Sequence, residues 1–369
     1  MSVLILTGCA GALQDSRTGS LKGMPMQIDI QKEIPLAPLT TLGVGGPAAR
    51  FYRCQNEWEV LILSEFARKE ALPLFVLGGG SNLLVSDEGF PGLVLQMAIT
   101  GVEREGDVLR VGAGVVWDDF VQQTVDAGLQ GIECLAGIPG TVGGTPVQNV
   151  GAYGQEVSET IVSVRCFDTV TGQYVDLSNE ACGFAYRTSR FNTTDRGRYI
   201  VTRVDFRLRA GGAPCLKYAD LRKHFEGKPQ PSLAEVAEAV RVIRRGKGMV
   251  VDAGDPNSRS AGSFFRNPIV PKEILLKVSE AAGIGVDAVP HWPAGEGMIK
   301  LPAAWLLEQA GFVRGYAMGR AGISSRHTLA VINRGEATAA DIIALREQII
   351  ATVRLKFGIE LEQEPVNVA

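Results

Sequence analysis

Two glycine-rich segments carry the clearest chemical signal in the sequence. Gly78 to Asn82 follows the strand-like run 72–77 directly, so its small residues allow backbone N–H groups to approach an anion. For a glycine triplet alone, a tight turn is an equally good interpretation. Residues 137–154 hold six more glycines, with Gln148 and Asn149 among them, and a stretch without periodicity needs partners for its peptide groups if it is buried. Two such segments, about 60 residues apart, predict a flat ligand with a diphosphate laid across a domain.

Other site chemistries find no support in the sequence. No GxxxxGK[ST] motif is present, so P-loop hydrolysis of ATP or GTP is not indicated. Gly43 to Ala48 matches GxGxxA, but Pro47 and the strand-like run 50–54 argue against a helix at this point. A Rossmann site requires the N-terminus of such a helix, so it is not indicated. The six cysteines form no CxxC and the three histidines no HExxH, so we expect no metal site.

Six short motifs follow one another along the chain. They are GGGSNLL at 78–84, GIPGTVGGTPVQNVGAYGQEV at 137–157, YRTSRF at 186–191, LKYADL at 216–221, AGSFFRNP at 261–268 and LEQE at 361–364. In this order they resemble the UDP-N-acetylenolpyruvoylglucosamine reductase family, which carries out the second reaction of bacterial muramic acid synthesis. The resemblance extends from about Leu36 to the end of the chain.

The resemblance implies an α+β protein, with an FAD-binding fold of the vanillyl-alcohol oxidase type in two subdomains and a C-terminal α/β substrate-binding domain. It also implies that hydride from NADPH passes through bound FAD to UDP-N-acetylglucosamine enolpyruvate, giving UDP-N-acetylmuramate for peptidoglycan precursor synthesis. Reducing this enol ether requires hydride at C3, stabilisation of an enolate-like carboxylate and a proton at C2. We therefore expect one acid and one cationic clamp.

Three catalytic residues are implied by the resemblance. Ser263 matches the family's proton donor; two phenylalanines follow it, which favours a partly dry pocket, and no GxSxG surrounds it. Arg187 matches the catalytic arginine, whose planar guanidinium can hold a carboxylate, although a structural ion pair is the commoner role of an arginine. Glu364 matches the catalytic glutamate. Glu362 remains an alternative, because residues 361–366 read Leu-Glu-Gln-Glu-Pro-Val where the family pattern is Leu-Glu-Pro-Glu-Val.

Binding residues are implied in the same way. For FAD they are Gly78, Gly79, Gly80, Ser81, Asn82, Gly137, Ile138, Pro139, Gly140, Gly143, Thr145, Gln148, Asn149, Gly151 and Ala152. For the nucleotide sugar they are Tyr218, Lys247, Asn267, Lys300 and His327, with Tyr153 and Trp292 as weaker candidates. Lys247 and Lys300 suit a diphosphate by charge alone. Tyr218 places the chain with the subtype whose tyrosine-bearing loop closes over the substrate, as a mobile lid would.

The elements that must position these residues follow from periodicity and capping. Helices are predicted at 56–71 behind an Asn cap, near 117–127, from Ser232 behind a capping box, and from Thr338 to a Gly358 terminator. Short strands are predicted at 72–77, 93–96, 108–111, 161–167 and 199–208. Few helices among many short strands favour an α+β architecture over a uniform doubly wound sheet.

A Gly-, Pro- and charge-rich break at 210–232 predicts a domain edge. The expected divisions are a disordered extension at 1–23, FAD-binding subdomain 1 at 24–98, FAD-binding subdomain 2 at 99–231, and a substrate-binding domain at 232–358, with residues 359–369 as a segment that could return to subdomain 1. A lipoprotein-like box at 6–9 is rejected, because no Lys or Arg precedes it and its apolar run is too short.

Composition bounds the class of protein. The 369 residues carry 37 Lys+Arg against 40 Asp+Glu, which argues against a disordered chain and against a strongly basic nucleic-acid binder. No apolar run reaches the ~20 residues of a membrane span, and unpaired cysteine spacings fit a reducing compartment. We expect a cytoplasmic monomer or weak oligomer with no nucleic-acid or membrane partner. Two alternatives stay open here: another flavin oxidase of the same superfamily, and a flavin or nucleotide-sugar binding protein without turnover.

Overall fold

The computed structural model describes residues 2–5 and 27–369. Its strands are β1 (Ser2–Ile5), β2 (Gln27–Pro35), β3 (Pro47–Cys54), β4 (Leu74–Leu77), β5 (Leu83–Val85), β6 (Phe90–Met97), β7 (Val102–Glu105), β8 (Val108–Gly112), β9 (Leu129–Gln130), β10 (Gly151–Ala152), β11 (Gln155–Glu156), β12 (Ile161–Asp168), β13 (Gln173–Ser178), β14 (Tyr199–Arg207), β15 (Arg209–Ala210), β16 (Ile269–Pro271), β17 (Trp292–Pro293), β18 (Met298–Lys300), β19 (Ala317–Met318), β20 (Ala321–Ile323), β21 (Val331–Asn333) and β22 (Val366–Val368). Its helices are α1 (Glu57–Lys69), α2 (Trp117–Asp126), α3 (Ala219–Phe225), α4 (Leu233–Gly246), α5 (Ile274–Ala282), α6 (Ala303–Gln309) and α7 (Ala339–Phe357).

The first sheet has the strand order β1-β2-β3-β6-β4. Strand β6 lies parallel to both β3 and β4, and α1 connects β3 to β4 in a βαβ unit. Because side chains alternate along a strand, Leu93 and Leu95 of β6 face a core that they share with Leu63 of α1, whereas Val94 packs with Leu77 on the other face. Both faces of this sheet are therefore covered.

The second sheet is antiparallel, with the order β13-β12-β14-β8-β7. Helix α2 packs on it through an aromatic group in which Trp117, Phe120 and Phe206 have ring centroids 5.2 to 6.0 Å apart. All three side chains are fully buried in the core that also takes the α1 face of the first sheet. The two sheets are thus joined by one continuous apolar core.

The C-terminal part forms a second core around α5, α6, α7 and two three-stranded sheets. Helix α7 begins at a capping box made by Thr338 and Asp341, and it ends at Gly358 with φ +73°. Strand β22 then leaves this part and pairs in parallel with β5, which follows the first glycine-rich loop. The chain's last strand therefore lies beside the first glycine-rich loop.

Most sequence-predicted elements are confirmed. Asn56 caps α1 by accepting a hydrogen bond from the Glu59 N–H at 3.0 Å, and Ser232 and Glu235 form the predicted capping box of α4. The predicted break at 210–232 contains a helix that the sequence did not indicate, α3, whose Leu221 is fully buried. Within the described part of the chain, no helix combines the length and apolar character needed to cross a membrane.

Helix α4, which the sequence analysis assigns to the substrate-binding domain, packs into the first core through Val236 and Val240. Arg241 of this helix also pairs with Asp118 of α2 at 2.9 Å. We therefore propose that the substrate-binding domain begins after α4, while the other predicted boundaries stay proposals. The predicted extension 1–23 lies outside the described residues apart from β1, which pairs with β2.

Candidate active site

A cleft of about 1220 Å³ lies where the two cores meet. Four segments form most of its wall: the loop after β4, the second glycine-rich segment, the turn before β16 and the approach to β22. Its lining includes residues 78–83, 138–141, 150–153, 260–263, 265–267 and 363–367. All four segments belong to motifs that the sequence analysis singled out.

The two glycine-rich loops touch each other through their backbones. A Cβ placed on Gly79 would lie 2.5 Å from the Gly140 Cα atom, and one on Gly80, where φ is +65°, would lie 1.9 Å from the Leu39 carbonyl oxygen. The Ser81 hydroxyl donates to the Pro139 carbonyl at 3.1 Å, which closes the junction. Side chains at these glycines would therefore push the loops apart.

Hydrogen-bond donors without partners are concentrated at this junction. Within the described part of the chain, the backbone N–H groups of Gly78 to Asn82, Gly140 and Thr141 donate to no protein acceptor. The Thr141 hydroxyl is also buried without a partner. A row of backbone N–H groups without protein acceptors is a typical anion site. The junction thus fits the diphosphate of a dinucleotide.

The C-terminal approach segment brings two of the predicted catalytic residues onto one wall. Phe265 and Gln363 form an antiparallel bridge, flanked by hydrogen bonds from the Arg266 N–H to the Glu362 carbonyl (3.0 Å) and from the Glu364 N–H to the Phe264 carbonyl (2.9 Å). Ser263 lies beside this pairing, and its hydroxyl makes no hydrogen bond to any described residue. It is thus free to donate into the cleft.

The two predicted glutamates lie in different surroundings. The Glu364 side chain is 14% exposed, and its carboxylate lies 3.4 Å from the Arg187 Nε atom. Burial raises the pKa of Glu364, although Arg187 and Arg266 oppose the shift. The Glu362 side chain is 77% exposed and lies 3.9 Å from Arg266. The cleft therefore contains Glu364 and not Glu362.

Arg187 adopts a strained backbone conformation. It occupies the third position of the turn Ala185–Thr188 with φ +56°, a region that favours glycine. Its buried Nε atom has no hydrogen-bond partner of acceptable geometry among the described residues. A strained residue with an unused donor beside a buried carboxylate is typical of a ligand-binding position.

Five of the predicted nucleotide-sugar residues line the cleft: Tyr153, Tyr218, Lys247, Asn267 and His327. Tyr153 and Tyr218 pack edge to face with ring centroids 5.1 Å apart. The Lys247 ammonium lies 5.8 Å from the Tyr153 ring and 3.3 Å from the Asp220 carboxylate. Asn267 caps α6 by accepting a hydrogen bond from Ala303 N–H, which leaves its amide NH₂ group free.

His327 is a neutral donor in this site. Its Nδ1 atom accepts a hydrogen bond from the Leu329 N–H at 3.0 Å, so the neutral ring carries its proton on Nε2. Burial lowers the pKa of His327 to about 4, and the positive charges of Lys247 and Arg314 contribute to the shift. An uncharged imidazole N–H suits a polar contact to a phosphate oxygen.

Some sequence-predicted residues do not line the cleft. They are Gly137, Gly143, Asn149, Lys300 and Trp292. The Gly137 N–H donates to the Asp118 carboxylate, while the buried Asn149 amide donates to Glu156 and to the Ala185 carbonyl. The Lys300 ammonium lies 4.7 Å from the ring centroid of Tyr186, a cleft residue. These contacts support the wall.

The sequence analysis missed most of the positive charge in the cleft. Seven cationic side chains line it, against the two carboxylates Glu347 and Glu364; they are Arg187, Arg196, Arg244, Lys247, Arg266, Arg346 and Arg354. Among the cations that were missed, Arg244 precedes Lys247 by three residues, and Arg266 lies within the AGSFFRNP motif, so both had a local signal. The others come together only through tertiary packing.

Known proteins with the same combination of segments were found by comparison. Residues 48–178 match the family model described as an FAD binding domain, and residues 255–368 match the C-terminal domain of UDP-N-acetylenolpyruvoylglucosamine reductase. The chain is 47% identical over 345 residues to the UDP-N-acetylenolpyruvoylglucosamine reductase of Streptomyces avermitilis, covering 91% of this chain and 94% of the relative. The reductase of that name from Thermobifida fusca is 46% identical, covering 93% and 99%. The crystal structure of UDP-N-acetylenolpyruvylglucosamine reductase from Thermus caldophilus matches with a TM-score of 0.64 at 28% identity, covering 92% of this chain and 99% of that one.

Proposed function

The chain belongs to the UDP-N-acetylenolpyruvoylglucosamine reductase family, and from this premise we propose which of its residues carry the reaction. It is an FAD-dependent oxidoreductase that uses NADPH to reduce the enolpyruvyl group of UDP-N-acetylglucosamine enolpyruvate in peptidoglycan precursor synthesis. Membership replaces the two alternatives left open by the sequence, another flavin oxidase and a binding protein without turnover.

FAD, when bound, takes up hydride from NADPH and supplies it to C3 of the enolpyruvyl group. We assign its diphosphate to the unpartnered N–H groups of Gly78 to Asn82, Gly140 and Thr141, which this chain offers without a protein acceptor. The backbone contact between Gly79 and Gly140 fixes the spacing of the two loops. A preformed row of donors lowers the cost of ordering the site when the dinucleotide binds.

Ser263 is the proton donor to C2 in this proposal. The antiparallel pairing of residues 264–266 with 362–364 carries the assignment, because it holds a free serine hydroxyl and a buried glutamate on one wall. A hydroxyl is a weak acid, so it donates effectively only to a strongly basic carbon such as the enolate-like centre left by hydride addition.

Arg187 and Glu364 act as a pair. The guanidinium stabilises the substrate carboxylate as negative charge moves onto it. Glu364 orients the guanidinium across 3.4 Å, and its raised pKa allows the carboxyl to hold a proton more readily than an exposed glutamate would.

Binding of the nucleotide sugar is assigned to Tyr153, Tyr218, Lys247, Asn267 and His327. Lys247 supplies charge to the substrate diphosphate, and His327 supplies a neutral N–H. Tyr218 is 41% exposed at the start of α3 and packs edge to face against Tyr153, which suits a loop that moves over substrate. We further propose a cytoplasmic monomer or weak oligomer; the free thiols of the described cysteines support a reducing compartment.

Separate measurement of the two half-reactions tests the assignment of Ser263. Ser263→Ala is expected to leave anaerobic bleaching of the flavin by NADPH nearly intact, while reoxidation by the enolpyruvyl substrate slows by roughly 10²–10⁴-fold. Ser178→Ala, an exposed serine on β13, is the matched control. Equal losses in both half-reactions would refute the proton-donor role.

A further inference from the structure

The segment that carries Glu364 is held by the side chain of its neighbour. The Gln363 amide accepts a hydrogen bond at Oε1 from the Arg346 guanidinium at 3.0 Å. Its Nε2 group donates to the Pro365 carbonyl and, at 2.9 Å, to the Asn367 side chain. One side chain thus binds both the residue after Glu364 and the strand that follows.

Arg346 provides a rigid attachment for this amide. Its side chain is 17% exposed, and its other guanidinium arm lies 3.0 Å from the Glu347 carboxylate. It projects from α7, which is fixed by the fully buried Ile342, Leu345 and Ile349. The position of Arg346 is therefore set by the second core.

The contacts of Gln363 matter for Glu364 because the Glu364 carboxylate makes few contacts of its own. Its one close partner, Arg187, lies at 3.4 Å without hydrogen-bond geometry, and Arg187 itself stands on a strained turn. The backbone of Glu364 is tied on one side by its N–H to Phe264 and on the other by its carbonyl, which accepts from Asn82 at 3.3 Å. The Gln363 amide closes the third side, toward α7.

We propose that Gln363, held by Arg346, is a positioning residue that keeps the Glu364 carboxylate directed at Arg187. The inference rests on the proposed role of Glu364. It concerns the position at which this chain has glutamine within Leu-Glu-Gln-Glu, so the amide is a property of this chain's own sequence.

Three variants test the contact in the reoxidation half-reaction. Gln363→Leu removes every hydrogen bond of the amide and is expected to slow reoxidation by the enolpyruvyl substrate about tenfold, with NADPH bleaching within twofold of wild type. Gln363→Glu keeps an acceptor for Arg346 but loses both Nε2 donor bonds, so it is expected to lose more of the rate than Arg346→Met. Arg346→Met, which leaves the bonds to Pro365 and Asn367 in place, is expected to give a smaller loss in the same half-reaction. Gln348→Leu, an exposed glutamine on the same helix, is the matched control and keeps the wild-type rate.

Non-additivity separates positioning from general damage. In a Glu364→Gln background, Gln363→Leu is expected to cost less than twofold, because no carboxylate remains to be positioned. Three outcomes would overturn the positioning role while leaving the proposed role of Glu364 intact. They are a full tenfold loss for Gln363→Leu in the Glu364→Gln background, an equal loss in both half-reactions, and a wild-type reoxidation rate for Gln363→Leu. If Glu364→Gln itself reoxidises at the wild-type rate, the proposed role of Glu364 fails and the positioning role falls with it. If Gln363→Leu does not fold, Arg346→Met decides between the same outcomes.

Discussion

Arg187 has a strained backbone and a side chain assigned to catalysis. Two substitutions distinguish the effect of the strain from the effect of losing the side chain. Both Arg187→Gly and Arg187→Ala remove the guanidinium beside Glu364, so both are expected to lose substrate reduction to the same degree. At φ +56° an alanine costs about 1 kcal/mol more than a glycine, so the Gly variant is expected to be the more stable by that amount. Urea unfolding of the two proteins measures the difference. Equal stability would contradict the strained turn, and an active Ala variant would contradict the assigned role.

The lowered pKa of His327 predicts how the free energy of unfolding changes with pH. Its pKa is about 4 in the native protein and ~6.5 in an unfolded chain, so only the unfolded chain gains a proton between these values. Its contribution to the free energy of unfolding is therefore complete above pH ~6.5 and is lost as pH falls toward ~4, by up to about 3 kcal/mol. In His327→Asn, whose amide oxygen can still accept from the Leu329 N–H, this part of the slope is expected to disappear. His224→Asn, on the exposed surface of α3, is the control. An unchanged slope in His327→Asn would show that the imidazole titrates normally.

At the level of single residues, the sequence offers candidates for catalysis but says little about their surroundings. Ser263, Arg187 and Glu364 were indicated by motifs, whereas the choice between Glu364 and Glu362 needed the pairing with residues 264–266. That pairing joins segments about 100 residues apart, and local sequence carries no record of it. Arg196 and Arg346 went unnoticed for the same reason.

The contact between the two glycine-rich loops is tested at the level of elements. Gly79→Ala would place a methyl group 2.5 Å from the Gly140 Cα atom, and neither backbone can yield without moving its loop. We expect the purified variant to retain much less flavin, measured as the ratio of flavin to protein absorbance. Gly246→Ala, in α4 with open space around its position, is the control and keeps its flavin. A fully flavin-loaded Gly79→Ala protein would show that the spacing of the loops is not required.

Elements whose ends are encoded locally were predicted well, and their packing partners were not. The caps at Asn56, Ser232 and Thr338 are side-chain to backbone contacts within three residues, so sequence alone reveals them. The apolar face of α4 shows that this helix is buried, but the pattern does not say against what. Its packing on α2 in the first core follows from tertiary structure alone.

At the scale of the whole molecule, the cleft and the chain differ in charge. The chain has a formal charge of -3, whereas seven cations and two carboxylates line the cleft. The excess of positive charge lies in the cleft, where it adds to the unpartnered N–H groups of the glycine-rich junction. Anion binding in this protein therefore depends on where charges lie, which the overall composition conceals.

The excess of positive charge in the cleft predicts which part of the flavin dinucleotide stabilises the protein. Removal of FAD is expected to lower the unfolding temperature, because a ligand at a hundred times its Kd stabilises by about 2.7 kcal/mol. Added to flavin-free protein, ADP is expected to recover more of this loss than riboflavin, since only ADP carries a diphosphate for the N–H groups and cations of the cleft. High salt should weaken the ADP effect more than the riboflavin effect, because screening acts on charge. Thermal unfolding with each ligand measures the order. If riboflavin stabilises as strongly as ADP, then contacts to the ring system, and not the glycine-rich junction, hold the cofactor.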